Sequence, residues 1–158
     1  SDLKVGHNNI IYLFRNPSDV IFSLLMAEHK DSFYTNKIDK LVITQIGRLK
    51  ANLQKYLFTA KTCINYERLK GQILDVSYYD EFNKIVQFFN DTDLDRNKLD
   101  SILKRVNKDK IIAKETDKKY FNKTLLSVQY EQMRDDFVET FGNRIREQIM
   151  AGELEKYF

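Results

Sequence analysis

Asp91, Asp93, Asp95, Asn97 and Asp100 set oxygen-bearing side chains at mostly alternate positions. The first half of an EF-hand loop surrounds a calcium ion in this way. The rest of the pattern is missing: Arg96 stands where the sharp turn requires glycine, and Ile102 stands where a bidentate glutamate belongs. The spacing instead predicts an interhelical turn whose Asp side chains cap the next helix. Glu131, Asp135 and Glu139 recur every four residues with Asp136 beside them, so a single helical face carries four carboxylates that a divalent metal could bridge. Helical dimetal sites add Glu-x-x-His pairs, and neither His7 nor His29 stands in that spacing. A solvated acidic face is the expectation, and no metal and no cofactor are assigned.

Nucleophilic chemistry has little to draw on. Cys63 is the single cysteine, lies beside an apolar stripe and has no histidine near it in sequence. It reads as a small buried side chain in a reducing, cytoplasmic setting, and a disulfide scaffold is excluded. His7 lies near the start of the chain, and His29 near a helix end, where a charged imidazole suits the helix dipole. Neither is expected to act as a general base. The five glycines, Gly6, Gly47, Gly71, Gly142 and Gly152, never cluster, so no phosphate-cradling loop is predicted. No catalytic residue is assigned, and an enzyme is not the expected class.

Binding chemistry is better represented. Residues 36–70 carry eight Lys or Arg against Asp39 and Glu67. Lys37, Lys40, Arg48, Lys50, Lys55 and Lys61 are expected to point away from the apolar stripe of a long helix, with Tyr34, Tyr56 and Tyr66 among them. Such a surface can follow a phosphate backbone while tyrosines stack on unpaired bases. The plain alternative is that lysines on the outside of a long helix keep it soluble. Acidic stretches at 77–102 and 126–158, each with a net charge of −3, blunt the basic field. A helix-turn-helix with a wing can also be drawn over 82–119. Asn97, Lys98, Ser101, Lys104 and Arg105 would lie on its recognition helix and Ile111–Ala113 would form the wing strand. Asp91, Asp93 and Asp95 in its turn would repel a DNA backbone.

These residues need helices to position them. Pro17 is the only proline, far too little turn chemistry for an all-β fold, while 158 residues with 20 aromatic side chains suffice for one core. Ile38, Val42, Ile46, Leu49, Leu53, Leu57, Ala60 and Ile64 recur at intervals of three and four, which predicts a helix from Asn36 through Ile64 and onward to about Val76. A helix over 17–29 follows from Asn16 as N-cap and Pro17 at the first position, burying Val20, Ile21, Leu24 and Leu25. Ser77 caps a helix carrying Phe82, Ile85, Val86 and Phe89, and Leu99, Ile102, Leu103 and Val106 mark another.

Residues 107–115 read as an irregular connection. A last helical pattern starts at Thr116 or Asp117 and runs through Tyr120, Phe121, Leu125, Val128, Met133, Phe137, Phe141, Ile145 and Ile149, with a break expected at Gly142 and Asn143. The apolar run Ile10–Phe14 is too short for its period to choose strand or helix. The predicted fold class is all-α: an irregular bundle of about five to six helices built around two long amphipathic ones, in a single domain over 1–158. A chain opening at Ser1 is expected to be part of a larger protein.

Long two-faced helices and segregated charge lead to the expectation of a non-enzymatic helical interaction module whose partner is another protein or the parent chain. The alternative is a nucleic-acid-binding domain using the basic helix 36–70. No run is long and apolar enough to span a bilayer. The oligomeric state is not legible.

Overall fold

A computed structural model describes residues 9–73, 77–90, 92–106 and 128–158. The fold is mostly helical, as an all-α bundle, with one small sheet. In chain order the elements are β1 (Ile11–Phe14), α1 (Pro17–Glu28), α2 (Ile38–Leu57), β2 (Thr62–Asn65), α3 (Tyr66–Leu69), α4 (Tyr78–Asn90), α5 (Arg96–Arg105) and α6 (Val128–Ile149). Short 3-10 turns occupy Lys30–Ser32 and Gly152–Tyr157. His7, Asp91, the 107–115 connection, the wing residues Ile111–Ala113 and the pattern from Thr116 through Leu125 lie outside the described residues.

α1 starts where the sequence places it. The Asn16 side chain accepts the Ser18 N–H at 2.9 Å, and Pro17 fills the first turn, where a missing N–H costs nothing. Its buried face is Ile21, Phe22, Leu25 and Met26, not Val20 and Leu24 as predicted. The run from Val20 to Met26 is apolar almost throughout, so its period alone could not choose between the two flanks of the Ile21–Leu25 line. Phe33, Phe137 and Tyr130 decide the matter by surrounding Phe22 at ring separations of 5.6, 5.6 and 5.0 Å.

α2 buries Ile38, Val42, Ile46, Leu53 and Leu57, so the predicted stripe holds as far as Leu57. It does not continue to Ile64. After a turn at 58–61, residues Thr62–Asn65 form β2, parallel to β1 with Ile11 opposite Thr62 and Phe14 opposite Asn65. Thr62, Cys63 and Ile64 suit a pleated surface, and the Ile10–Phe14 run supplies a backbone partner that continued helix could not use. The interval from Leu57 through Ala60 to Ile64 mimics helical spacing, but pairing with a strand some 50 residues away overrides it.

α6 runs unbroken through Gly142 and Asn143, contrary to the predicted break. Phe141 and Ile145 are both buried on either side of the glycine, and their packing outweighs its roughly 1 kcal/mol helix penalty. α1 and α2 both pack on α6, and the core runs from Phe22, Phe33 and Phe137 to Leu53, Leu57 and Leu154. Arg134 on α6 ties this layer to α1 by donating to Asp19 at 2.7 Å.

α4 leaves a different kind of contact. It packs against β2 and α3, and its fully buried side chain is Glu81. Ser77 accepts the Tyr79 N–H at 3.3 Å as the predicted cap. α5 is capped by Asp95, which accepts the Lys98 N–H at 3.0 Å, the role predicted for an Asp in this turn. Tyr78 and Tyr79 both donate to Asp100, at 2.8 and 2.6 Å, and so fasten α5 to the start of α4.

Candidate functional site

Lys37, Lys40, Arg48, Lys50, Lys55 and Lys61 are all exposed. They do not form a single face. On α2, Lys40, Arg48 and Lys55 follow one side, with Lys37 at its start, whereas Lys50 comes two residues after Arg48 and so stands about 160° round the helix. Lys61 lies beyond α2 altogether, in the turn before β2.

The tyrosines are engaged within the chain. Tyr56 comes seven residues after Leu49 and therefore falls on the apolar side. Its ring stacks on Tyr12 at 5.1 Å, with the Lys55 ammonium 5.3 Å from its centre. Burial pushes the Tyr12 hydroxyl up to about 12, with Cys63 and Tyr56 adding smaller effects. Tyr66 carries the Arg15 guanidinium 4.7 Å above its ring, and Tyr34 donates to Asp136 at 3.0 Å.

The carboxylate face of α6 is solvated where Glu131, Asp135 and Glu139 stand, and Asp136 accepts from both Tyr34 and Gln132. His29 closes the C-terminus of α1 through its backbone and lies 3.8 Å from Glu28. Asn97, Lys98, Ser101, Lys104 and Arg105 are exposed on α5.

A cleft of about 350 Å³ opens beside β2, between α3, α4 and the C-terminal 3-10 turn. Thr62, Cys63 and Asn65 line it with Phe14, Lys61, Arg68, Glu81, Lys84, Lys156 and Tyr157. Glu81 is only 1% exposed. Its two oxygens accept the Asn65 N–H at 3.0 Å and the Lys84 ammonium at 2.8 Å, and Lys84 also reaches the Cys63 carbonyl at 3.4 Å. The Asn65 side chain has two functions: its oxygen accepts the Arg68 N–H and starts α3, and its nitrogen donates to the Tyr157 carbonyl at 3.2 Å. Arg68 Nε is buried and, among the described residues, has no hydrogen-bond partner.

The Cys63 thiol points away from this chemistry, toward the Leu57 and Tyr56 carbonyls at 3.6 and 3.9 Å. Burial pushes its pKa up, against a smaller opposing effect of Lys84. A thiol so placed is a poor nucleophile at neutral pH.

Of the predicted binding residues the structure brings only Lys61 into the cleft. Asn65, Arg68, Glu81, Lys84 and Lys156 were not singled out by the sequence. A trace of Glu81 is present: it precedes Ile85 by four and Phe89 by eight, on the flank of the α4 apolar stripe, where an acid is out of place. Among the described residues no helix is long and apolar enough to cross a membrane. Set against known proteins, the chain matches no family model, no curated protein and no solved structure.

Proposed function

We propose that the chain is a non-enzymatic interaction module that holds a protein partner against helix α5. The observation that carries this reading is the α5 stripe. Leu99 is buried, but Ile102, Leu103 and Val106 on the same stripe are 40%, 38% and 51% exposed. An amphipathic helix that leaves most of its apolar line in water gains from covering it. Arg96, Lys98 and Arg105 flank the stripe, so the complementary surface is apolar with acidic residues at its edge. A photo-reactive side chain at Ile102 is expected to crosslink to a discrete protein in the cells that make this chain, while one at Lys50 does not. Equal crosslinking from both positions, or crosslinks confined to the chain itself, would contradict the reading.

Nucleic-acid binding is the second reading, supported by the exposed line of Lys40, Arg48 and Lys55 on α2. The covered rings of Tyr56 and Tyr66 argue for backbone contact without base stacking. Arg48→Glu combined with Lys55→Glu should abolish a gel shift with single-stranded DNA and flatten its salt dependence; unchanged affinity removes this reading.

A further inference from the structure

We infer that the cleft beside β2 is a binding site for the phosphoryl group of a small phosphate ester, with Arg68 as its direct ligand. The starting point is Arg68, which lines the cleft and whose buried Nε–H has no partner among the described residues; with Nε closed to water, the guanidinium end is the part a ligand meets. A buried donor without an acceptor is costly, and folded proteins seldom keep one without a use. The neighbouring carboxylates do not serve it. Both oxygens of Glu81 are taken by Asn65 and Lys84, and a Glu67 oxygen accepts the Asn16 N–H at 2.9 Å.

Among the described residues that line the cleft the charge is cationic, with Lys61, Arg68, Lys84 and Lys156 against the carboxylate of Glu81. Lys84 is spent on that carboxylate, so Arg68, Lys61 and Lys156 remain for an anion. The two lysines are held at the mouth by aromatic rings, Lys61 at 5.3 Å over Phe88 and Lys156 at 5.2 Å over Tyr157. Contact with a ring face orients an ammonium without neutralising it. A planar guanidinium inside and two point charges outside match a tetrahedral oxyanion with several acceptors better than a single carboxylate. The volume lies at the lower end of small-molecule pockets and exceeds what bare phosphate fills, which leaves room for a small attached body.

Calorimetric titration of the whole chain at low salt tests this with ribose 5-phosphate, ribose, inorganic phosphate and a single-stranded oligonucleotide. Ribose 5-phosphate is expected to bind at least tenfold more tightly than ribose and more tightly than inorganic phosphate. Arg68→Met should weaken it tenfold or more without lowering the melting temperature, because the variant removes an unsatisfied donor. Lys156→Glu, at the exposed mouth, should give a similar loss, and Lys50→Glu none. Unchanged binding in Arg68→Met with a lower melting temperature would make Arg68 a structural residue and overturn the assignment. So would binding of the oligonucleotide alone, of inorganic phosphate as tightly as the ester, or of ribose as tightly as its phosphate.

Discussion

Glu81 and Cys63 share a cleft, yet their surroundings give them opposite roles. The Glu81 carboxylate is desolvated but answered on both oxygens, so it joins β2 to α4 through Asn65 and Lys84. Glu81→Ala would strand a buried N–H and an ammonium, and should lower unfolding free energy by about 2 kcal/mol in chemical denaturation. The Cys63 sulfur faces the Leu57 and Tyr56 carbonyl oxygens, and burial raises its pKa against a smaller opposing effect of Lys84. Its alkylation by iodoacetamide at pH 8 should run several-fold slower than that of a free thiol, and reach the free rate in denaturant.

Asp100 shows the reverse shift: hydrogen bonds from Tyr79 and then Tyr78 hold its carboxyl below the ordinary value of 3.8. A depressed folded pKa stabilises the fold fully above the ordinary value and loses that contribution as pH falls through the lowered one. The stability difference between wild type and Asp100→Asn should therefore be constant above about pH 5 and shrink below about pH 4. At this scale the helix caps were legible, since Asn16, Ser77 and Asp95 each bond a nearby N–H. The cleft residues stayed hidden because Arg68, Glu81 and Lys156 meet only through tertiary packing, and no local spacing records that meeting.

Among the elements, α2 shows how far periodicity carries and where it stops. Apolar spacing gave the buried face from Ile38 to Leu57 correctly, because amphipathic packing is what stabilises a helix of this length. Its end at Leu57 was illegible, since it depends on β1, far away in sequence, as the partner of β2. Gly47 lies inside α2 with nothing within 4 Å of the position a Cβ would take. Gly47→Ala should raise the unfolding free energy by about 0.5–1 kcal/mol, seen as a higher midpoint in urea with an unchanged slope. Gly71 is different: with φ at +68° it closes the turn after α3 in the left-handed region, and alanine there should destabilise by about 1 kcal/mol. That change would also disturb the segment that carries Arg68.

On the scale of the molecule, two parts differ in how they are held. α1, α2 and α6 enclose a continuous aromatic and aliphatic core, and the all-α class was legible from the three- and four-residue apolar spacing along most of the chain and from its single proline. α4 and α5 are joined to each other largely by polar contacts, among them Asn83 accepting the Leu94 N–H and Asp100 accepting from two tyrosines. The Leu99, Ile102, Leu103 and Val106 pattern predicted helix α5 correctly, but periodicity has no means of saying whether a stripe meets the same chain or another one.

If the stripe is a contact surface and not part of the core, Val106→Asp changes unfolding free energy by no more than about 0.5 kcal/mol. The decisive measurement is the yield of the crosslink from a photo-reactive side chain at Ile102, with and without Val106→Asp. The account predicts a single crosslinked partner protein whose yield collapses in the variant while the melting temperature holds. A yield unchanged by Val106→Asp, or one that falls only together with the melting temperature, would contradict it.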